Sequence, residues 1–163
     1  MLWFALYLKR KYSNATILLV TDRKQLDEQI LQKFQSCSFP NPEQAEDKED
    51  LKELLANAKG KTIMTTVFKF LSKSGQKTTA LSHDPIFVLV DEGHRTQYGI
   101  TATDMRSALP NAIFYAYTGA PLMKGERTRQ VFGDYIDKYK LKESEADGAT
   151  VPIYYESRLT ELC

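Results

Sequence analysis

Four short runs of apolar, β-branched residues recur along the chain, with amphipathic stretches between them. The runs cover residues 15–20, 61–67, 85–90 and 111–117. Runs that are this short and apolar throughout are typical of strands buried on both faces of a sheet. Strands alternating with helices predict a parallel sheet that is covered on both sides. We therefore expect an α/β fold, whose working residues lie just past the carboxyl ends of the strands.

The segments between the runs have the spacing of helices. Apolar residues recur four apart at Leu26, Ile30 and Phe34 among charged neighbours, which predicts a helix after the first strand. Residues 43–58 are highly charged with one apolar face and predict a surface helix. The remaining expectations are a helix at 101–109, a short helical piece at 68–71, a loop at 72–84 and an edge strand at 151–155.

The amino-terminal stretch is apolar first and basic last. A secretory signal has the opposite order, with positive charge before the apolar run. We expect a helix instead, whose basic residues 9–11 suit the negative pole of the helix dipole. Its larger apolar side chains are expected to be buried, namely Trp3, Phe4, Leu6, Tyr7 and Leu8.

Composition excludes several functional classes. With 22 Lys+Arg against 21 Asp+Glu the net charge is +1, so any contact with DNA has to come from a local patch. Two cysteines and two histidines provide neither a disulfide framework nor a zinc site, which favours a reducing, cytoplasmic compartment. No apolar stretch reaches the roughly 18 residues that a membrane span needs, so we expect no membrane partner.

Polar and small residues follow all four predicted strands. The carboxyl ends of parallel strands meet at one edge of a sheet, so we expect these residues to share that edge. In chain order they are Thr21-Asp22-Arg23, Thr65-Thr66, Asp91-Glu92-Gly93-His94 and Thr118-Gly119-Ala120-Pro121.

The adjacent carboxylates of Asp91 and Glu92 are the most informative of these groups. Like charges repel and burial disfavours both, and a bound Mg²⁺ would remove that cost for one of them. We expect Asp91 to hold Mg²⁺, directly or through water, and Glu92 to orient or deprotonate an attacking water. His94 is placed to sense a γ-phosphate or to link the site to other elements. The alternative is a turn in which Asp91 caps a helix.

The other strand ends carry weaker signals. Gly119 allows a tight turn and Thr118 can bond to neighbouring carboxylates, but such turns are common. The hydroxyls of Thr65 and Thr66 could hold phosphate oxygens, yet threonine is frequent in strands generally. Four cations near this edge are candidates for DNA contact, with an ordinary solvated face as the alternative: Arg23, Lys24, Lys69 and Lys73.

The order of these motifs resembles the first RecA-like domain of superfamily 2 helicases and translocases. The matching segments are LLVTDRKQLDEQI, TIMTTVFKF, FVLVDEGHRTQYG, FYAYTGAPL and FGDYIDKYKL. HRTQYG and FGDYIDKY are more specific and resemble the motor (R) subunit of type I restriction enzymes over nearly the whole chain. The resemblance implies an ATP-driven, Mg²⁺-dependent translocase on double-stranded DNA, which works with methylation and specificity subunits and cleaves unmodified foreign DNA.

The resemblance also implies roles for single residues. Asp91, Glu92 and His94 match the catalytic motif that handles Mg²⁺ and water, and Thr118 and Gly119 would join Asp91 and Glu92 in binding the nucleotide. The expected DNA-binding residues are Thr21, Arg23, Lys24, Thr65, Thr66 and Lys69. Two positions depart from the family pattern: Gly93 stands where alanine is commoner, and Ala120 where threonine is commoner.

A larger departure concerns the phosphate-binding loop. Superfamily 2 motors carry G-x-x-x-x-G-K-[ST] between a strand and a helix, and residues 60–62 imitate only its tail. The amino-terminal helix occupies the place of the helix that follows this loop. We therefore expect an incomplete P-loop NTPase (RecA-like) domain without the Walker A strand and loop. Residues 1–124 would be part of helicase domain 1, and 125–163 an extension toward an absent second RecA-like domain.

This incompleteness has consequences for activity. Without the loop's lysine and amides, ATP phosphates lose most of their binding energy, so we expect the chain alone neither to hydrolyse ATP appreciably nor to translocate. An uncovered sheet edge would also favour self-association. Three interpretations stay open: part of a type I restriction motor subunit, a non-enzymatic remnant or interaction module that docks on DNA or partner subunits, or a fragment of another superfamily 2 helicase.

Overall fold

A five-stranded, wholly parallel sheet lies at the centre of the fold. The computed structural model describes residues 1–22, 30, 32–34, 36–37, 39, 42–71, 80–91, 100–119 and 133–152. The strands are β1 (Thr16–Thr21), β2 (Glu43–Gln44), β3 (Thr62–Thr66), β4 (Ile86–Val90) and β5 (Ile113–Ala116), in the order β2-β3-β1-β4-β5. The predicted parallel α/β sheet is confirmed, and its order places β1 between β3 and β4.

Helices flank the strands along the chain. They are α1 (Leu2–Lys11), α2 (Lys48–Ala56), α3 (Ile100–Ala108) and α4 (Leu141–Ala146), with a 3₁₀ helix at Val67–Phe70. Residues 30, 32–34 and 36 are also helical, whereas Leu26 lies outside the described residues. None of the described helices is long and apolar enough to cross a membrane.

The two faces of the sheet bury alternate residues of the same strands. On one face Leu18, Ile63 and Val88 pack against α2 and α3. On the other face Leu19 and Met64 pack against α1 and Phe34, in a cluster that also holds Ala5 and Leu8. Every residue of β1 and β3 is buried, which explains why these strands are apolar or threonine at every position.

The amino-terminal helix is less buried than its composition predicts. Ala5 and Leu8 are buried, but 79% of the Trp3 surface and 51% of the Tyr7 surface are exposed. The prediction of burial is therefore wrong for Trp3 and Tyr7. A helix lying on a sheet buries one stripe of side chains, and these two aromatic residues lie outside that stripe.

The surface helix predicted at 43–58 begins later than expected. Glu43 and Gln44 form β2, which pairs in parallel with β3, and the helix α2 starts only at Lys48. The Asp47 side chain caps it by accepting a hydrogen bond from the backbone N–H of Asp50 at 2.9 Å. Pairing with β3 thus overrides the helical pattern of the first residues.

The chain divides into two compact units, Met1–Gly133 and Asp134–Cys163. In the second unit, the Tyr139 hydroxyl donates to the Asp147 carboxylate at 3.2 Å across α4. The boundary predicted at 124/125 lies outside the described residues, as do 72–79 of the predicted loop. Of the predicted edge strand at 151–155, Val151 and Pro152 are described and are not in a strand.

Candidate functional site

Asp91 lies at the carboxyl edge of the sheet, directly after the last residue of β4. Its backbone N–H donates to the carbonyl oxygen of Val20 at 2.8 Å, which ties this position to the end of the neighbouring strand β1. The residue is half-buried, so its carboxylate stands between the protein interior and solvent. Glu92 and His94, the other two predicted catalytic residues, lie outside the described residues.

Thr118 and Gly119 reach the same edge from β5. Val90 and Ala116 are register partners in the parallel pair, and the N–H of Tyr117 donates to the carbonyl of Val90 at 2.9 Å. Thr118 is half-buried and Gly119 is exposed. The structure therefore brings Asp91, Thr118 and Gly119 to the ends of two paired strands.

The helix α1 begins at this edge as well. The ring of Phe4, early in α1, contacts Tyr115, late in β5, with centroids 4.7 Å apart. The ring of Tyr12, just past α1, stacks on Phe87 near the start of β4 at 5.5 Å. These two contacts show that α1 runs antiparallel to β4 and β5.

The amino terminus of α1 is suited to negative charge. The first turn of α1 carries no acidic residue, and Met1 at the N-cap position has no capping oxygen. The first amides of a helix lack intrahelical partners and favour anions. Burial lowers the pKa of the Met1 amine, and the negative charge of Asp91, at the same edge of the sheet, opposes this shift. The sequence places this helix where the family has the helix after the phosphate-binding loop, but it assigns no role to the helix end, because Met1 and Leu2 carry no polar side chain.

Three predicted DNA-binding threonines lie at the same edge with buried side chains. Thr21 and Thr65 are 0% exposed and Thr66 is 4% exposed. The Thr65 hydroxyl lies 3.5 Å from the carbonyl of Thr66. A direct contact between these hydroxyls and DNA would require the covering side chains to move. Arg23 and Lys24 lie outside the described residues, so contact through them stays a prediction.

Lys69 is engaged within the chain. Its ammonium donates to the carbonyl of Ala45, beside β2. The ammonium of Lys48 likewise donates to the carbonyl of Leu71 at 2.9 Å. Both lysines therefore hold backbone together at the outer corner of the carboxyl edge.

An open cavity of about 420 Å³ lies at this corner. Carboxylates outnumber ammonium groups around it, and the ring of Phe68 is 60% exposed. No local sequence pattern indicates this cavity, because its acidic lining comes from separate segments of the chain. It is lined by Asp22, Glu46, Asp47, Lys48, Thr66, Phe68 and Lys69.

The described side chains fit a magnesium ion only when phosphate supplies further ligands. No group of three or more His, Cys, Asp or Glu residues is placed to hold a metal within the described ranges. Mg²⁺ is usually held by one or two carboxylates together with substrate phosphates and water. Asp91, beside the anion-favouring end of α1, meets that requirement.

Comparisons with known proteins identify relatives over most of the chain. A putative type I restriction enzyme endonuclease subunit, MjaIXP, from Methanocaldococcus jannaschii is 42% identical over 95% of the chain. The type I restriction enzyme HindI endonuclease subunit from Haemophilus influenzae is 39% identical over 96% of the chain. A more distant relative, the SsaAORF53P endonuclease subunit from Staphylococcus saprophyticus, is 26% identical over 81%. The resemblance drawn from the HRTQYG and FGDYIDKY segments is confirmed.

The matches cover most of this chain but only a small fraction of each relative. The chain spans only 15% and 17% of the length of the first two relatives. The family model of the SWI2/SNF2 ATPases matches residues 1–163. That match, together with the parallel α/β sheet, confirms a helicase-like ATPase domain. The chain therefore belongs to the SWI2/SNF2 ATPase family.

Proposed function

We propose that this chain is a segment of the ATP-dependent DNA translocase of a type I restriction system and carries the Mg²⁺ and water side of the ATPase site. One observation carries the proposal: Asp91, directly after β4, and the amino terminus of α1 lie at the same carboxyl edge of a parallel sheet. A carboxylate for the metal and helix amides for phosphate are the two elements that nucleotide sites of this kind combine.

Within this site each residue has a distinct role. Asp91 holds the metal, which neutralises charge on the phosphate oxygens when it is bound. Glu92 orients or deprotonates the attacking water, and His94 senses the γ-phosphate. Thr118 and Gly119, at the end of β5, border the phosphates. The first amides of α1 stabilise negative charge next to Asp91.

The DNA track would run along the other half of the same edge. We propose contacts from Thr21, Arg23, Lys24, Thr65, Thr66 and Lys69, of which Thr66 and Lys69 line the cavity. The three threonines are buried, so their contacts require the covering side chains to move when DNA binds. A phosphate would have to compete with the carbonyl of Ala45 for the Lys69 ammonium. The relatives are endonuclease subunits of type I restriction enzymes. We therefore propose that the partners are double-stranded DNA and the methylation and specificity subunits, and that they meet in the cytoplasm.

The proposal assigns only half of an ATPase to these residues. A Walker A loop and a second RecA-like domain would supply the rest of the ATPase site. In this proposal residues 1–124 are a partial first domain, and residues 125–163 extend toward the second. We therefore expect weak, Mg²⁺-dependent ATP binding without turnover. Robust DNA-stimulated hydrolysis by the 163-residue chain would contradict this division of the site.

Calorimetric titration with Mg·ATP tests the site. Asp91→Ala is expected to weaken binding about tenfold or more, equivalent to ~1.4 kcal/mol, because the metal loses its carboxylate. Asp84→Ala is the matched control, since Asp84 is an exposed carboxylate before β4 instead of after it. Equal affinities for the wild type and Asp91→Ala would exclude Asp91 from the metal site.

A further inference from the structure

Lys9 joins α1 to the starts of two central strands. Its ammonium donates to the carbonyl of Ala15 at 2.9 Å and to the carbonyl of Gly60 at 2.6 Å. Ala15 directly precedes β1, and Gly60 lies in the turn before β3. One half-buried side chain thus connects the last turn of α1 with the amino-terminal edge of the sheet.

The other contacts of α1 with the sheet that are described are apolar. Ala5 and Leu8 are buried, and Phe4 and Tyr12 make the ring contacts with Tyr115 and Phe87. Apolar contacts are not directional, so they hold the helix on the sheet without fixing its position along the strands. Hydrogen bonds from a charged donor are directional, and each typically contributes about 1.5–3 kcal/mol.

Lys9 is more buried than its basic neighbours, and its ammonium binds backbone carbonyls. Arg10 and Lys11 are exposed, and the Lys11 ammonium lies over the rings of Tyr7 and Tyr12 at 5.5 and 5.6 Å. Burial lowers the pKa of Lys9, so its charge is held where solvation is poorer.

We propose that Lys9 is a positioning residue, which fixes where along the sheet α1 begins and therefore how far its first turn lies from Asp91. The inference rests on the proposed function, in which the first turn of α1 and Asp91 both belong to the nucleotide site. Slippage by one residue would move the helix end by about 1.5 Å. Displacements of that size in a catalytic site have large effects on rate.

Ring contacts measured by nuclear magnetic resonance test the position of α1 directly. In Lys9→Met, which keeps the stem but removes the donor, we expect changed intensities of the Phe4–Tyr115 and Tyr12–Phe87 Overhauser contacts while the fold remains. Arg10→Met is the control and should keep both contacts. Unchanged ring contacts in Lys9→Met would overturn the inference. If Lys9→Met does not fold, Lys9→Leu, which also removes the donor, is judged by the same contacts and the same outcomes.

A second measurement separates this inference from the proposed function. Mn²⁺, which shares the oxygen preference of Mg²⁺, is expected to broaden the amide signals of Leu2, Trp3 and Phe4 when it binds at Asp91. Changed paramagnetic relaxation rates of these amides in Lys9→Met, with metal affinity unchanged, support the positioning role, and rates equal to those of the wild type contradict it. Absence of broadening in the wild type, or its persistence in Asp91→Asn, contradicts the metal site instead. In that case the ring contacts alone test whether Lys9 positions α1.

Discussion

The amino-terminal and carboxyl-terminal edges of the sheet differ in how their side chains are used. At the amino-terminal edge, Lys9, Thr16 and Asn111 each donate to a backbone carbonyl of another segment, at 2.6–2.9 Å. At the carboxyl-terminal edge, Asp91 and Thr118 are half-buried beside the ends of β4 and β5. Among the described residues, lysines at the outer corner of the carboxyl-terminal edge make bonds of the same kind, through Lys48 and Lys69. The contrast therefore lies between the amino-terminal edge and the part of the carboxyl-terminal edge at the ends of β4 and β5, where Asp91 and Thr118 are partly open to solvent.

Glycine substitutions give the largest expected contrast between the two edges. Gly60, at the amino-terminal edge, has a φ of +76°, and an added Cβ would meet only the Cα of Asn14 at 4.0 Å. Gly60→Ala is therefore expected to cost about 1–2 kcal/mol through backbone strain instead of a clash. Urea unfolding followed by circular dichroism measures the loss.

Gly119→Ala is the matched substitution at the carboxyl-terminal edge. Gly119 does not have a positive φ, and no described atom lies within 4 Å of an added Cβ. We expect a change below about 0.5 kcal/mol. Equal losses for the two variants would show that the edges are equally constrained.

Threonine substitutions give the next contrast. The buried hydroxyl of Thr16 donates to the carbonyl of Ala58 at 2.8 Å, whereas the Thr65 hydroxyl lies 3.5 Å from its acceptor. Thr16→Val is expected to destabilise the fold by about 1 kcal/mol, because it leaves a buried carbonyl with one partner fewer. Thr65→Val should cost only about 0.5 kcal/mol or less. Chemical denaturation of both variants measures the difference.

Thr62 provides a control, because its replacement by valine should not lower the free energy of unfolding. Its hydroxyl is buried and has no hydrogen-bond partner among the described residues. Thr62→Val, which removes only that hydroxyl, is therefore expected to leave stability unchanged or to raise it by up to about 1 kcal/mol. If Thr62→Val destabilised as much as Thr16→Val, strand propensity and packing, and not the hydrogen bond, would explain both.

The sequence predicts the strands well because their signal is local. Continuous apolar runs identify β1, β3, β4 and β5, and the end of one such run is enough to place Asp91 at the carboxyl edge. The two-residue strand β2 has no such signal, since only its pairing with β3 makes it a strand. Whether a strand-end threonine is accessible also depends on what packs over it, and for this reason the burial of Thr65 could not be predicted.

For the helix α1 as well, the sequence predicts the element but not its contacts with distant parts of the chain. Its basic end predicts a helix terminus, but residues 9–11 are indistinguishable in the sequence. The structure singles out Lys9, because that position faces the turn at Gly60, which is distant along the chain. The direction of α1, and hence the meeting of its first turn with Asp91, depends on contacts such as Phe4 with Tyr115 that no local pattern encodes.

The smallest expected effect is on the pH dependence of stability, and it comes from the half-buried phenol of Tyr117 at the carboxyl-terminal edge. Burial of the phenol, with a smaller contribution from Tyr115, raises the pKa of Tyr117 to about 12. A pKa raised above the unfolded value of about 10 contributes stability that is complete below pH ~10 and lost as the pH rises toward ~12. Because Tyr117 is half-exposed, solvent screening should limit this contribution to a few tenths of a kcal/mol. Urea unfolding between pH 9 and 11 should therefore show a slightly shallower alkaline decline in Tyr117→Phe than in the wild type. Identical declines would mean that water reaches this phenol freely, and the carboxyl-terminal edge would then be more open than the structure indicates.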